Sequence, residues 1–414
     1  MAIAADTVSE LCAAAKRASR LLATLDTEAK NGALEAIAAG LEQRVGEILE
    51  ANMLDLEAGR ESDLSAALLD RLALDERRIA AMAAGVRQII ALPDPVGEVV
   101  DGFRRPNGLE IRKVLVPLGV IAVVYEARPN VTIDAAALCL KSGNAVVLRG
   151  SSTAEHTNAV LGRIASAAAP DGAVAVISGQ RREELTELVT QTAHIDLVIP
   201  RGGEGLKAAL MEHATVPVIY AASGNCHVYV DSWADLAMAR EIAYNAKVQR
   251  PGVCNAAETL LVHREVAAAF LPEMARELEA AGVELRGDPQ AREFVPAIGE
   301  ASDADWDTEY LALTLAVRVV ASLDEAIAHV QAHGTGHSEA IVTADRDAAR
   351  RFQREVDAAC VYVNASTRFT DGGEFGMGAE IGNSTQKLHA RGPIGLRELC
   401  AFKYLIEGDG QVRS

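Results

Sequence analysis

Short apolar stretches alternate with amphipathic helical patterns from about residue 116, and this alternation limits the fold more than any other feature. In the first half, apolar stretches lie at 120–124, 145–148, 174–177, 195–199 and 216–220, with helical patterns at 132–141, 153–168, 183–191 and 205–213. In the second half, apolar stretches lie at 258–263, 316–320, 340–343 and 360–363, with helical patterns at 235–247, 266–281, 323–333 and 347–356. Strands that alternate with helices form parallel βαβ units. The sequence therefore predicts an α/β protein with two Rossmann-type parallel-sheet domains.

Three segments fall outside this alternation. Residues 1–92 carry apolar residues at helical spacing, which predicts helices packed on a larger core. Residues 99–115 predict a β-hairpin around an Asn-Gly turn, and 396–405 predict a strand that either returns to the first domain or joins the hairpin. We expect a first domain at 1–230, a second at 231–385, and a small β arm from 97–115 and 393–414. The hairpin is either an oligomer contact or an ordinary surface feature.

The negative net charge limits the classes of macromolecule that this protein is expected to bind. The 414 residues include 58 acidic and 40 basic side chains, for a formal charge of -18. Nucleic-acid phosphates would be repelled by such a protein, and anionic membranes are poor partners for the same reason. The longest apolar stretch is too short to cross a bilayer, and the first residues lack the apolar core of a signal peptide. We therefore expect no nucleic-acid partner and no membrane partner.

Six cysteines occur, and none pair at metal-ligand or C-x-x-C spacing. A reducing cytoplasm is the simplest compartment for such a chain, and no metal site is predicted. Cys254 follows a helical pattern that ends at Pro251, and it precedes the apolar stretch at 258–263. A cysteine on such a turn can act as a nucleophile if its thiolate is stabilised. The turn alone equally fits a buried cysteine that only packs.

Several motifs together carry a family resemblance. Residues 117–120 (PLGV) and 143–149 (GNAVVLR) resemble the cofactor-binding core of the aldehyde dehydrogenase superfamily. Within it, 125–132 (YEARPNVT), 250–255 (RPGVCN) and 333–341 (HGTGHSEAI) look like the gamma-glutamyl phosphate reductase family. The similarity runs over nearly the whole chain. It implies an aldehyde-dehydrogenase-like fold with a cofactor domain, a catalytic domain and a small oligomerisation arm.

The resemblance also implies a reaction. Members of that family reduce L-glutamyl 5-phosphate with NADPH to L-glutamate 5-semialdehyde and release phosphate, in the second step of proline biosynthesis. Cys254 matches the superfamily nucleophile, so a thioester on Cys254 is expected. A homo-oligomer is expected, and association with glutamate 5-kinase is left open. Two other functions compete: a hydrolytic aldehyde dehydrogenase acting on a small semialdehyde, and a non-catalytic nucleotide-binding protein.

The oxyanion of the intermediate needs hydrogen-bond donors. The Cys254 amide is one candidate, and Arg128 and Asn130 stand near the position where many aldehyde dehydrogenases carry an asparagine. Arg128 could instead bind the leaving phosphate. Hydrolytic members carry a glutamate before the cysteine, but residues 221–227 contain none, which fits a phosphorylating enzyme. Within that segment, Cys226 and His227 are predicted to be structural.

The remaining predicted site residues concern the cofactor and the substrate. The cofactor set is Arg149, Ser151 and Ser152 for a 2′-phosphate, Arg201, Gly202 and Gly203 for the pyrophosphate, and Glu309 for the nicotinamide ribose. Arg149 can also be a solvated strand-end residue, and Glu309 one acid in an acidic loop. The substrate set for the α-carboxylate and α-amine is Asn364, Ser366, Thr367 and Arg368, and His337 is a motif residue without a fixed role.

Overall fold

The computed structural model describes residues 7–178, 181–220 and 223–413. Contacts divide the chain into two compact units. Unit 1 contains the described residues of Met1–Tyr220, Gly376–Gly382 and Ile394–Ser414. Unit 2 contains those of Ala221–Phe375 and Asn383–Pro393. Each unit carries its own parallel sheet, which is the organisation of an α/β protein.

The helices and strands are numbered in chain order. The helices are α1 Val8–Leu22, α2 Thr27–Gln43, α3 Val45–Glu61, α4 Ala66–Leu72, α5 Glu76–Ala91, α6 Asn130–Lys141, α7 Glu155–Ala168, α8 Arg182–Val189, α9 Glu204–His213, α10 Leu236–Val248, α11 Arg264–Ala280, α12 Pro289–Phe294, α13 Leu323–His333 and α14 Arg346–Glu355. The strands are β1 Val99–Arg104, β2 Glu110–Pro117, β3 Val120–Tyr125, β4 Ala145–Arg149, β5 Val174–Ile177, β6 Leu197–Arg201, β7 Cys226–Val230, β8 Ala257–His263, β9 Glu284–Gly287, β10 Gly299–Glu300, β11 Thr314–Val320, β12 Ser338–Val342, β13 Cys360–Val363, β14 Asn383–Ser384, β15 Gly392–Pro393 and β16 Cys400–Glu407.

Unit 1 is built on a four-stranded parallel sheet with the order β5-β4-β3-β6. Every residue of β3 and β4 is buried. Central strands of a parallel sheet are covered on both faces, so they consist of continuous apolar runs rather than alternating ones. This is why their positions were predictable from the sequence.

Helices α1 to α5 form the predicted helical lead-in. The α1 helix begins with a capping box, in which the Thr7 side chain accepts from the Glu10 amide and the Glu10 carboxylate accepts from the Thr7 amide. Leu34, Ile37 and Leu41 of α2 are fully buried, as their helical spacing predicts.

The hairpin of β1 and β2 continues into a third strand. β16 pairs antiparallel with β2 from Cys400 opposite Pro117 to Glu407 opposite Glu110. Of the two sequence-based alternatives for the last strand, the structure shows the one in which it joins the hairpin. The resulting sheet has the order β1-β2-β16 and exposes large apolar side chains on one face.

Unit 2 contains a seven-stranded parallel sheet with the order β10-β9-β11-β8-β7-β12-β13. One face packs against α10 and α11, through residues such as Ile242 and Phe270. The other face packs against α13 and α14, through residues such as Ile327 and Phe352. The amino ends of neighbouring parallel strands lie at one edge of the sheet, and that edge carries the candidate site.

The sequence prediction differs from the structure in several places, which include the unpredicted strands β9 and β10 and the unpredicted helix α12. Residues 216–220 form no regular strand but a single bridge from Val218 to Val198. Pro217 has no amide to donate to a ladder, which limits pairing to the bonds on either side. The prediction also missed β7, because His227 and Tyr229 interrupt its apolar run although all five residues are buried.

All six cysteines lie within the described residues, and none of them forms a disulfide bond there. Among the described helices, none combines the length and apolar character needed to cross a lipid bilayer.

Candidate active site

Cys254 lies on the turn between α10 and β8. The α10 helix ends at Val248, Pro251 prevents its continuation, and β8 begins at Ala257. Cys254 is partly exposed, whereas the other five cysteines are buried. Burial raises the pKa of thiols inside the protein, such as those of Cys139 and Cys226. Cys254 is therefore the cysteine that a substrate can reach.

The backbone of Cys254 is held against the segment before β7. A Cβ atom at position 224 would lie 1.6 Å from the Cys254 carbonyl oxygen, so only glycine fits there. The Cys226 thiol donates to the same carbonyl at 3.2 Å. These two contacts fix the peptide that follows the candidate nucleophile, and they give Cys226 the structural role predicted for it.

Asn255 connects the Cys254 turn to the segment after β13. Its side-chain amide donates to the carbonyls of Arg368 and Thr370, at 3.4 and 2.9 Å. Thr367 Oγ1 donates in return to the Asn255 carbonyl at 2.7 Å. The structure thus brings Thr367 and Arg368 of the predicted substrate set to the turn that carries Cys254.

Arg368 contributes positive charge beside this turn. Its Nε donates to Gln249 Oε1 at 2.8 Å, which places the guanidinium at the end of α10. Partial burial lowers the pKa of Arg368, and repulsion by Arg250 lowers it further, whereas attraction to Cys254 and Asp371 raises it. The guanidinium is therefore within electrostatic reach of the Cys254 sulfur.

Glu309 lies close to the Cys254 turn, in contact with Gly224. Its Oε1 accepts from the Gly224 amide at 2.6 Å, so it contacts the residue that packs on the Cys254 carbonyl. Two residues later, Leu311 adopts a φ of 52°, a strained conformation for a leucine, and donates its amide to Glu258 Oε1 at 3.2 Å. Glu309 is thus held within unit 2, next to the residue that packs on Cys254.

A buried ion pair contacts the loop that carries Glu309 and Leu311. Lys247 Nζ donates to Glu258 Oε2, and both side chains are 0% exposed. Burial raises the pKa of Glu258 to about 7, although Lys247 and the Leu311 amide oppose the shift. Burial likewise lowers the pKa of Lys247. The pair links α10, β8 and the loop that carries Glu309.

His337 lies at the amino end of β12 and is 1% exposed. Its Nδ1 is 2.8 Å from Ser338 Oγ, which in turn is 2.6 Å from Thr370 Oγ1. Burial lowers the pKa of His337 to about 4, so its imidazole is neutral near pH 7. The histidine therefore belongs to the hydrogen-bond network that positions Thr370.

The other members of the predicted substrate set have local partners. Ser366 Oγ accepts from the Arg368 amide at 3.3 Å and begins a short 3₁₀ helix. Asn364 lies beyond the carboxyl end of β13, where its side chain accepts from the Thr343 amide and donates to the Thr343 carbonyl, both at 2.9 Å. Cys254 precedes the amino end of β8, so Asn364 lies at the opposite edge of the sheet.

The predicted cofactor residues of unit 1 gather at the carboxyl edge of its sheet. Arg149 ends β4 opposite Val124, and Arg201 ends β6 opposite Tyr125. Ser151 and Ser152 follow β4 and lead into α7. Ligands of open parallel sheets bind in the crevice outside the carboxyl ends of the strands. These side chains therefore fit a nucleotide, and the edge carries the arginines that a phosphate requires.

Two of these residues already have protein partners. The Gly203 amide donates to Glu126 Oε2 at 3.1 Å, so a carboxylate lies at the amino end of α9. The end of this helix does accommodate an anionic group, as expected of a helix amino terminus. Arg149 donates to the Arg181 carbonyl at 3.2 Å and is largely buried, so it is not a solvated surface arginine.

Arg128 and Asn130 lie in the same region of unit 1, where Arg128 follows β3 and Asn130 is the first residue of α6. Arg128 is half-buried, and its carbonyl accepts from the Val131 amide at 3.0 Å. Asn130 is exposed, and its amide donates to Asp134 Oδ2 at 2.9 Å. Both residues therefore follow the carboxyl end of β3.

Comparison with known proteins agrees with this geometry. The model of the aldehyde dehydrogenase family matches residues 1–306 and 299–403. A gamma-glutamyl phosphate reductase from Moorella thermoacetica is 57% identical over 404 residues, which cover 96% of this chain and 97% of the relative. The chain belongs to the aldehyde dehydrogenase family, and within it to the gamma-glutamyl phosphate reductases. It is an oxidoreductase, and the family implies a nicotinamide cofactor.

Two further members of the gamma-glutamyl phosphate reductase group are similar over nearly the full chain. The reductase from Syntrophomonas wolfei is 56% identical over 404 residues and covers 96% of both chains. The crystal structure of the reductase from Thermotoga maritima aligns with a TM-score of 0.97 at 47% identity, covering 99% of this chain and 100% of that one. The predicted family and the predicted fold are both confirmed.

Sequence reasoning missed three residues that the structure places at this reductase site. Gly224 packs on Cys254, and Arg250 and Asp371 act electrostatically on Arg368. Arg250 belongs to the RPGVCN motif and lies four residues before Cys254, which is a usable signal. Gly224 and Asp371 gave no such signal, because their contacts join segments far apart in the chain.

Proposed function

We propose that this chain reduces L-glutamyl 5-phosphate with NADPH to L-glutamate 5-semialdehyde and releases phosphate, through a thioester on Cys254. One observation carries the proposal: Cys254 is the partly exposed cysteine, on a turn braced by Gly224, Cys226 and Asn255. The relatives named gamma-glutamyl phosphate reductase support the choice of substrate, and we propose the reaction as the glutamyl phosphate step of proline biosynthesis.

An acyl phosphate suits a sulfur nucleophile. The Cys254 thiolate forms a bond to the acyl carbon, the bond from that carbon to the phosphate oxygen breaks, and inorganic phosphate leaves with the electron pair. NADPH, when bound, supplies the hydride that brings the thioester to the aldehyde oxidation level. The carbon–sulfur bond then breaks, which returns Cys254 to its thiolate form and frees the semialdehyde.

Cations beside Cys254 favour its ionised form. A thiolate is the reactive species of a cysteine, and neighbouring positive charge stabilises it. Arg368 is within electrostatic reach of the sulfur and is held there by Gln249. This support is within unit 2 and does not depend on a bound ligand.

The oxyanion that forms during attack requires donors that are already in place. The Cys254 amide belongs to the braced turn and is the first candidate. Arg128 or Asn130 completes the pair, and Arg128 is also a candidate for the leaving phosphate because its guanidinium can donate two parallel bonds. We propose Arg128 and Asn130 as catalytic residues on these grounds.

The residues of the segment before β7 argue against hydrolysis of the Cys254 thioester. Residues 221–227 contain no glutamate to activate water, although Ala221 and Ala222 lie outside the described residues. No side chain fits at position 224, because the Cys254 carbonyl fills that space. In the reverse direction, a thioester in such a site reacts with phosphate rather than with water, as a phosphorylating enzyme requires.

We propose the carboxyl edge of the unit 1 sheet as the NADPH site. Arg149, with Ser151 and Ser152, supplies positive charge and hydroxyl donors for the 2′-phosphate that distinguishes NADPH from NADH. Arg201, Gly202 and Gly203 lead into α9, whose amino end favours an anion such as the pyrophosphate. Glu309 of unit 2 is proposed to accept from the nicotinamide ribose.

The α-carboxylate and α-amine of the substrate are proposed to bind the segment after β13. Arg368 is the member of that set with a charged group directed at the Cys254 turn. Ser366, Thr367 and Asn364 shape the segment through the local bonds described above, and His337 positions it through Ser338 and Thr370.

We further propose a homo-oligomer that uses the sheet of β1, β2 and β16. Its exposed face presents Phe103, Phe402, Tyr404 and Ile406, each about half exposed. An exposed face with several large apolar side chains typically marks a protein–protein contact. Association with glutamate 5-kinase and a cytoplasmic location remain predictions from the sequence.

The reaction is best tested in reverse, because the semialdehyde is more stable than the acyl phosphate. NADPH formation from NADP⁺ and glutamate 5-semialdehyde is followed with and without inorganic phosphate. Strict dependence on phosphate is the expected result. Reduction of NADP⁺ without phosphate would show that water reaches the thioester and would replace the proposal with a hydrolytic dehydrogenase. No turnover in either condition would reject the substrate.

A further inference from the structure

Arg368 carries a guanidinium whose terminal groups are not used within the described structure. Its Nε donates to Gln249 Oε1 at 2.8 Å. The described residues provide no hydrogen-bond or ion-pair partner for its two Nη groups. The terminal nitrogens of such a guanidinium form a planar fork that matches the two oxygens of a carboxylate. A guanidinium held at Nε is therefore pre-organised for an anionic ligand.

Arg250 adds a second positive charge to the same place. It follows Gln249 directly in the chain, so the residue that holds Arg368 is the neighbour of Arg250. The two guanidinium groups repel each other, and this repulsion contributes to the lowered pKa of Arg368. Two cations kept together without an anion are destabilising, and a bound anion removes that cost.

Asp371 lies beside this pair with the opposite charge. Its Oδ1 accepts from the amides of Gly373 and Glu374, at 2.8 and 3.4 Å, which orients the carboxylate. Its attraction acts on the Arg368 guanidinium. The described structure gives Oδ2 no partner, so this oxygen can accept from a ligand.

We propose that Arg250, Arg368 and Asp371 form the subsite for the α-amino-acid end of the substrate. The two guanidinium groups bind the α-carboxylate, and the Asp371 carboxylate accepts from the α-ammonium. The assignment rests on the proposed function, and it names which residues select a glutamyl substrate over a simple acyl phosphate.

The length of the substrate is consistent with this placement. Four carbon–carbon bonds separate the reacting acyl carbon from the α-carboxylate carbon, which is a span of roughly 5 Å when extended. The subsite is attached to the Cys254 turn through Asn255, whose side chain bonds the carbonyls of Arg368 and Thr370. A ligand anchored there presents its other end to the cysteine.

The leaving phosphate is the competing anion for the arginine pair. Asp371 favours the α-amino-acid end, because a carboxylate beside the pair repels a phosphate dianion but complements an ammonium group. The reverse reaction separates the two possibilities, since the semialdehyde and inorganic phosphate are then independent substrates with their own KM values.

The test measures KM for each substrate in the reverse direction. We expect Arg368→Gln and Arg250→Gln to raise KM for the semialdehyde by roughly tenfold to a hundredfold, the range for losing a charge-assisted bond. KM for phosphate should change by less than about twofold, a shift well below the loss of one such bond. Arg368→Lys should recover part of the loss, and Arg354→Gln, on an exposed arginine of α14, is the matched control.

A substrate analogue tests Asp371 separately. 5-Oxopentanoate keeps the carboxylate and the aldehyde but lacks the amine. Asp371→Asn should raise KM for glutamate 5-semialdehyde and leave KM for 5-oxopentanoate unchanged, whereas the arginine variants should raise both.

Three outcomes would overturn the subsite. A rise in KM for phosphate alone would place the leaving group at the arginine pair, unchanged KM values would leave the residues without a binding role, and equal effects of Asp371→Asn on both aldehydes would remove the ammonium contact. Absence of phosphate-dependent turnover in the unmodified enzyme would instead reject the proposed function. Circular dichroism of each variant separates misfolding from lost binding.

Discussion

The α-carbon of Gly224 packs so closely on Cys254 that a Cβ atom would lie 1.6 Å from the Cys254 carbonyl oxygen. Gly224→Ala should therefore displace the nucleophile. Displacements of about 1 Å at a reacting group cost on the order of a hundredfold in rate, and we expect that loss in kcat for the reverse reaction. Gly252→Ala, in the same turn but with its nearest neighbour 3.7 Å away, is the matched control and should retain activity. Equal activity of the two variants would contradict the bracing role.

Cys254 should be the cysteine that reacts with iodoacetamide in the native enzyme. The other five thiols are buried, so mass spectrometry should find one adduct for each chain. Cys254→Ser should abolish both the adduct and turnover while the circular dichroism spectrum stays native. Cys360→Ser should preserve both, because Cys360 lies at the start of the edge strand β13. Turnover by the Cys254 variant would reject the thioester mechanism.

Lys247 and Glu258 should be coupled in stability. Lys247→Met leaves the buried Glu258 carboxylate without its cation, and breaking such a pair lowers the free energy of unfolding by about 3–5 kcal/mol. The double variant with Glu258→Leu should recover most of this loss. Urea unfolding followed by tryptophan fluorescence measures the effect, because Trp233 and Trp306 both lie in unit 2. Lys387→Met, on an exposed lysine, is the control and should cost little.

His337 should make unit 2 less stable in acid. Burial lowers its folded-state pKa from the ordinary value of 6.5 to about 4, so between these values the unfolded chain binds a proton that the folded chain does not. The contribution of His337 to the free energy of unfolding is therefore fully present above pH 6.5. It is lost as pH falls towards 4, by up to about 1.4 kcal/mol per pH unit. His337→Gln should flatten the pH dependence of the urea midpoint. An unchanged slope in this variant would show that another group is responsible.

The sheet of β1, β2 and β16 should be an oligomer contact. Ile406 is 60% exposed on the apolar face that also carries Phe402 and Tyr404. Ile406→Asp places a charge in that face, and light scattering after size exclusion should show a smaller species than the unmodified enzyme. Lys403→Glu alters charge on the opposite face of β16 and should leave the mass unchanged. A monomeric unmodified enzyme would reject the contact.

Local sequence patterns predicted most helices and strands because these elements depend largely on residues that are close together in the chain. Continuous apolar runs identified β3 and β4, and Pro251 identified the turn that carries Cys254. The strand β7 was missed because His227 breaks its apolar run. That histidine is buried next to Glu339, with its Nδ1 2.9 Å from the carboxylate, and a partner 112 residues away leaves no local signal. The Lys247–Glu258 pair was missed for a related reason, since pairing of buried charges depends on tertiary contacts.

The predicted substrate-binding residues also show that local sequence does not reveal tertiary contacts. The sequence prediction grouped Asn364, Ser366, Thr367 and Arg368 because they lie close together in the chain after a strand. In the structure, the chain turns back between Asn364 and Thr370, so Asn364 bonds to Thr343 while Thr370 bonds to Asn255. Proximity in sequence therefore grouped side chains that lie at different edges of one sheet.

The bond from Asn255 to Thr370 has a consequence for biosynthesis. The anchor of the Cys254 turn is translated 115 residues after Asn255 itself, which takes roughly 6–23 s at typical ribosomal rates. During that interval a nascent chain already contains the cysteine but not this bond. The contribution of Thr370 to the orientation of the turn is thus acquired only after residue 370 has left the ribosome, and a fragment that stops earlier lacks this anchor although it keeps Gly224 and Cys226.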